Sequence, residues 1–290
     1  MNTQFAEYTE TRLGDLSSDV ITGKPFAVGS DFKALSFRHP AFRGLMDPLV
    51  MVDHYTMTDS TFGAHPHAGL AAVSVLFEDS VGAFNNRDSL GNDIDLQPGD
   101  LYWLHAGKGA VHDEAPLAGA KTHGLQMFVN LPARLKHSEP ESLHVKASNM
   151  PHLTGPGWRV RLVAGQSCGV KGAVSPHIPL TILDGFLDQG EFQHQPSTGC
   201  NTWIYCVDGE LNLTAGEQRI QLVKGQSIAI NPMQLVPLIK LASTDQAHFA
   251  LVEGVPVREN FVQQGPFVMS SQAEINTLLQ DHAEGKLGSI

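Results

Sequence analysis

HPHAGLAAVSVLFEDS, residues 65–80, places two histidines on either side of a proline at the head of an apolar run. Side chains two apart on a strand point to the same face, so His65 and His67 aim two imidazoles in one direction. The run from Ala72 to Phe77 reads as a strand, and the stretch as a whole raises one question: what would take two nitrogens side by side at a strand mouth.

Similar runs recur at Pro48 to Val52, Leu101 to Leu104, Leu125 to Leu131, Trp158 to Ala164, Leu180 to Phe186, Trp203 to Val207 and His248 to Val252. Between them lie QPGD (97–100), TGPG (154–157), DQGE (188–191), VDGE (207–210) and VKGQ (223–226), which supply the Gly or Pro that reversing strands need. The pattern predicts an all-β sandwich or barrel. A single helix is expected near the end, capped by Ser271, with Ala273, Ile275, Leu278, Leu279 and His282 at helical intervals. The polar, Pro-bearing interval 132–156 reads as a connection without a long element, and LQPGDLYW against LVKGQSIAI suggests that one half repeats the other. Two domains are expected, residues 1–135 and 136–290.

Thirty acidic residues against 19 basic ones leave a formal charge of −11, which opposes the phosphate neutralisation on which nucleic-acid affinity depends. Direct DNA or RNA binding is therefore not expected. Nor is membrane insertion, because no stretch approaches the ~20 apolar residues of a spanning helix. MNTQFAEYTETRLGDLSS at the start lacks the basic-then-apolar layout of a signal peptide, which points to the cytoplasm. Cys168, Cys200 and Cys206 show no CxxC spacing and are read as buried free thiols in a reducing compartment.

A second pair at the HxH spacing is His112 and Glu114, in LHAGKGAVHDEAP (104–116). Two neighbouring antiparallel strands, each presenting such a pair, could surround one cation with His65, His67, His112 and Glu114, leaving positions for water, substrate or dioxygen. This donor set suits a borderline divalent ion: Fe²⁺ first, with Mn²⁺, Ni²⁺, Cu²⁺ and Zn²⁺ as alternatives, whereas Ca²⁺ and Mg²⁺ prefer all-oxygen sites. Asp113, between the two ligands, should face the opposite way.

HPHAGLAAVSVLFEDS, NRDSLGND, QPGDLYWLHAGKGAVHDE and HGLQMFVNLP, in that order, resemble the N-terminal half of the pirin family within the cupin superfamily. LVEGVPVRENFVQQGPFVMSSQAEI (251–275) resembles the family's C-terminal signature. The resemblance implies a bicupin: two β-barrels face to face, with one non-haem iron in the first, held by the residues matching His65, His67, His112 and Glu114. It departs from many pirins at Ala68 and Ala71, where Arg and Glu are common, and in YWLHAGKG, which carries His105 and Lys108. Strand alternation from His67 puts Ala71 on the ligand face, so the cavity there should be roomier and less polar, and quercetin turnover slow or absent.

Other histidines are read as structural. His105, His54 and His123 are expected to be packed and hydrogen-bonded, and His194 has no partner at ligand spacing, so the C-terminal barrel is expected to be metal-free. In HGLQMFVNLP, Leu125, Met127 and Val129 read as core, while Gln126 and Phe128 could border the cavity. Lys108 and Arg87 read as solvated loop charges. No Gly-rich loop opens a helix, so no nucleotide cofactor is expected.

Two functions follow from the resemblance. One is a metal-dependent dioxygenase of the quercetin 2,3-dioxygenase kind, an oxidoreductase taking a small aromatic, flavonol-like substrate and O₂, with Glu114 as general base. The other is a redox- or metal-sensing regulatory protein that acts through protein partners, as a transcriptional co-regulator or a modulator of metabolic enzymes.

Overall fold

The computed structural model describes residues 3–6, 17–231 and 238–290; most of the 1–18 segment read for a leader lies outside these. In the first barrel, a seven-stranded antiparallel sheet runs in the order Glu141–Val145, Leu101–His105, Leu70–Leu76, Thr122–Asn130, Leu49–Met57, Phe32–Arg38, Lys24–Val28. Facing it is a four-stranded sheet of His65–His67, Ala110–Pro116, Phe84–Asp88 and Asp93–Leu96. The second barrel repeats the plan. Its large sheet contains Trp158–Ala164, Leu180–Asp188, Gln246–Gly254, Asn201–Asp208 and Gln226–Ile230, and its small sheet contains Glu191–His194, Ile239–Ala242, Glu210–Ala215 and Gln218–Val223.

Each large sheet is covered on both faces. Toward its own barrel the first buries Val50, Leu70, Ala72 and Leu104, and the second buries Leu162, Leu183, Ile204 and Leu251. Their outer faces pack on each other through Phe37, Val73, Trp103 and Met127 against Ile182, Trp203, Tyr205 and Val252. Two-sided burial explains why the inner strands read as continuous apolar runs rather than alternations: every residue of Leu70–Leu76 is buried. Arg161, fully buried, fastens the barrels together; it donates to the Gly99 and Leu76 carbonyls of the first barrel and to Asp184 Oδ2 at 2.7 Å in the second. Burial alone would raise Asp184, but His248 and Arg161 outweigh it and hold the carboxyl down to about 2.

Several segments cross the division at 135/136. Glu141–Val145 is an outer strand of the first large sheet, and Ile21–Thr22 pairs with Gln226–Ile230 in the second. The interval 132–156 also holds the strand His152–Gly155, so it carries more structure than a bare connection. The chain then returns: Phe261–Gln264, Phe267–Met269 and the helix Gln272–Ala283 lie against the first barrel, where Val268 N donates to Ala68 O. The helix is capped as expected, Ser271 Oγ accepting from Glu274 N. Lys136 secures the return. Its buried ammonium donates to Gly69 O, Val268 O and Asn130 Oδ1 at 2.7–3.0 Å. Cys200 and Cys206 are buried, but Cys168 is exposed in a tight turn, contrary to the expectation for all three thiols.

Candidate metal centre

The site begins at a break between two strands. His65–His67 belongs to the small sheet and Leu70–Leu76 to the large one; Gly69, at φ +72°, turns the chain between them. A Cβ at Gly69 would stand 2.0 Å from Val268 O, so glycine is required there for both conformation and space. Alternation restarts beyond this turn. Ala71 consequently faces the core between the barrels, not the histidines, and Leu70, Ala72 and Ser74 face the barrel interior. The sequence expectation for Ala71 is corrected here: counting in twos from His67 assumed one continuous strand.

His112 lies directly across from His65 in the antiparallel ladder, and Ala110 across from His67. The three imidazoles therefore converge. His112 Nε2 is 2.9 Å from His67 Nε2 and 3.1 Å from His65 Nε2, and the three nitrogens lie within 4.8 Å of one another. His65 Nδ1 meets the carbonyl of Gly63 at 2.8 Å; a carbonyl only accepts, so Nδ1 carries the proton and Nε2 turns a lone pair inward. Burial, reinforced by neighbouring imidazoles, pushes His67 and His112 well below the ordinary histidine value, and burial also lowers His65. Three neutral, inward-facing imidazoles fit a borderline divalent cation.

Glu114 is on the same strand face as His112 and lines the same cavity, with its Oε1 turned to Ser74 Oγ at 2.7 Å. Ser74 Oγ is also 2.7 Å from the Gln126 side chain. A hydroxyl has one proton, so Ser74 can donate to only one of the two side-chain oxygens, Glu114 Oε1 or Gln126 Oε1, at a time. Burial pushes Glu114 up to about 7, against the Ser74 hydrogen bond. Among the described residues the converging group comprises the three histidines, and Glu114 stands beside it. Asp113 faces away, paired with Arg87 at 2.7 Å.

The cavity has a volume of about 240 Å³. Gln126 and Phe128 border it, and Phe128 lies edge-on to His67 at 5.1 Å. Asp53 and Tyr55, which sequence reasoning passed over, also line it. The available signal was alternation along Leu49–Met57, where Met51, Asp53, Tyr55 and Met57 share one face. The Tyr55 hydroxyl is buried and has no partner among the described residues. Burial, then the charge on Glu114, raises it well above the ordinary phenol value, so it remains an O–H donor.

The other histidines are used structurally. His105 hydrogen-bonds Ser138 at 2.8 Å and lies against His177, away from the cavity. His54 meets His123 at 2.7 Å and Tyr205 at 2.6 Å in a cleft between the barrels, and His123 continues to Asp79. That cleft is larger, about 780 Å³, yet its Arg159, Lys224 and His248 are already paired with Glu78, Asp208 and Asp184. His194 lies between Glu253 and Ser167. Lys108 pairs with Glu139 at the surface. No helix among the described residues is long and apolar enough to cross a membrane.

Two stacked cupin barrels with three convergent histidines in the first define a bicupin with a candidate metal centre. The chain belongs to the pirin family: residues 20–129 match the Pirin domain and residues 182–288 the Pirin C-terminal cupin domain. It is 32% identical to Pirin of Rattus norvegicus over 246 residues (84% of each chain), and 31% identical to Pirin of Homo sapiens over 255 residues (87% of each). In fold it is similar to a quercetin 2,3-dioxygenase from Acinetobacter baumannii (TM-score 0.82, 24% identity, 93% of this chain and 97% of that one). It is likewise similar to a bacterial pirin from Escherichia coli in complex with nickel(II) (TM-score 0.62, 17% identity, 88% and 100%).

Proposed function

We propose that this protein is a metal-dependent dioxygenase of the quercetinase type, acting in the cytoplasm on a hydroxylated, flavonol-like aromatic with O₂. The convergence of three inward-facing Nε2 atoms on one cavity carries the reading. His65, His67 and His112 would hold the ion, Glu114 would complete the set, and Fe²⁺ is the first choice. The C-terminal barrel, residues 136–290 in this reading, would remain metal-free. A bound divalent ion supplies Lewis acidity and a template for O₂ and substrate.

The chain's own residues do the rest. Glu114, near 7, can take the proton of a substrate hydroxyl at neutral pH, and Ser74, which also meets the Gln126 side chain, holds one of its carboxylate oxygens. The phenyl rings of Phe32, Phe84 and Phe128 exclude water and flank a planar ring. Anaerobic loading with Fe²⁺, followed by aromatic absorbance and O₂ uptake on mixing with substrate and air, tests this. Full metal occupancy without metal-dependent O₂ consumption would sink it.

One observation favours a regulatory role as a second reading. Phe267 bridges to Ala68 and Val268 N bonds Ala68 O, so the residue next to His67 carries the segment that leads into the C-terminal helix. A change of oxidation state of an iron ion held by the histidines would be felt next to a surface element that a protein partner could read. Hydrogen exchange of the helix that is identical in Fe²⁺- and Fe³⁺-loaded protein would count against it.

A further inference from the structure

Tyr55 carries a polar group that its own packing does not use. Its partners in the flanking strands are Ala34 and Gly124, so the phenol meets no bulk from its cross-strand neighbours. Phe32 stacks on the ring at 5.7 Å and Phe84 stands at 6.5 Å, which fixes the ring and with it the place of the hydroxyl. The residue is 3% exposed and lines the metal cavity, yet its hydroxyl has no hydrogen-bond partner among the described residues. Phenylalanine would fill the same space without burying an unpaired donor. Packing therefore gives no reason for a tyrosine, whereas an acceptor atom on a bound ligand does.

The cavity has a polar group of the opposite sense in Glu114, an acceptor. Its charge acts on the Tyr55 phenol, but no hydrogen bond joins the two, so one ligand can engage both. A flavonol carries a hydroxyl and a carbonyl on adjacent ring carbons. The hydroxyl has a proton to give, and the carbonyl oxygen can only accept. We propose that Tyr55 is a specificity-determining residue whose hydroxyl donates to the carbonyl oxygen of a flavonol-like substrate while Glu114 accepts from the adjacent hydroxyl. This rests on the metal-dependent reading above and deepens it by giving the substrate carbonyl its partner. Because the ring is already held, little freedom is lost when the ligand arrives. Because the hydroxyl is buried, a ring without the carbonyl leaves it unpaired and is disfavoured.

The test uses the full chain loaded with redox-silent Zn²⁺, so that binding is read without turnover. The probe is 3-hydroxyflavone, whose oxygens are a ring ether, a hydroxyl and the adjacent carbonyl. In calorimetric titration Tyr55→Phe, which retains the stacked ring, should bind it about tenfold more weakly than wild type, or about 1.4 kcal/mol, with zinc content unchanged. The carbonyl stretch of the bound probe, read by difference infrared spectroscopy, should lie at higher frequency in Tyr55→Phe, because a donated hydrogen bond weakens C=O. A purely structural role would not move that band. Without ligand, Tyr55→Phe should unfold in urea at a midpoint no lower than wild type, since no protein partner is lost. Equal affinity, an unshifted carbonyl band, a lowered midpoint of the free variant, or no binding of 3-hydroxyflavone by wild type would each overturn the proposal. An Fe²⁺ protein that shows the Tyr55-dependent band but consumes no O₂ would refute the dioxygenase reading and leave this role standing; O₂ consumption with an unshifted band would do the reverse.

Discussion

The Nε2 atoms of His67 and His112 stand 2.9 Å apart, on residues 45 positions distant in the chain. Two neutral imidazoles can share one proton across that gap, but His65 Nε2 adds a third lone pair with none to share. Burial disfavours the imidazolium that would relieve the crowding. A cation resolves the conflict, and chelation should restore it. Holoprotein in metal at about a hundred times its Kd should be about 2.7 kcal/mol more stable than the chelated form, read as a fall in Tm on adding EDTA.

Ligand assignments can be separated from packing by substitution. Removing any one of His65, His67, His112 or Glu114 should cut metal content more than about tenfold by elemental analysis of purified protein. His105→Ala and His194→Ala, whose partners are Ser138 and Glu253, should retain it. Stoichiometric metal in His112→Ala would refute the assignment.

Ala71 and Ser74 should respond oppositely to change. Ala71→Glu would place an unpaired carboxylate between the barrels and is expected to cost several kcal/mol, on the order of 3, in urea unfolding. Ser74→Ala should leave the fold intact but remove the hydrogen bond that lowers Glu114. The carboxyl then rises above about 7, and the pH profile of any Glu114-dependent activity shifts alkaline.

Gly69→Ala should destabilise by at least about 3 kcal/mol, because φ +72° strains an L-residue and the obstructing atom is the backbone oxygen of Val268. Metal content should fall with it, since the turn positions His67. A variant with wild-type unfolding midpoint would show that the turn is not needed.

Acid should weaken the fold before the carboxylates of ordinary pKa titrate. His39 and His105 are lowered to about 4 and His54 to about 3, chiefly by burial. As pH falls through about 6.5 the unfolded chain protonates these groups and the folded chain does not, so stability is complete above that pH and declines toward about 4. Glu114, raised to about 7, works in the opposite sense over part of this window and offsets one of the three. The net loss should approach about 1.4 kcal/mol per pH unit for each uncompensated proton. Urea midpoints at pH 7.5 and 5.5 check it; a higher midpoint at pH 5.5 would contradict it.

Much of the architecture was legible in local pattern. The apolar runs marked the strands, Ser271 marked the helix start, and the HxH and HxE spacings brought His65, His67 and His112 into consideration as a set, because strand alternation is a property of neighbouring residues. The tertiary structure alone decided the rest. Whether alternation runs on past His67 depends on the left-handed turn at Gly69, where Val268, nearly two hundred residues away, leaves no room for a Cβ. The three acceptors around Lys136, the crossing of Ile21–Thr22 into the second barrel and the burial of the Tyr55 hydroxyl likewise depend on segments that meet only when the chain is folded. A strand's period specifies which side chains share a face; what that face meets is set by long-range packing, to which no local period corresponds.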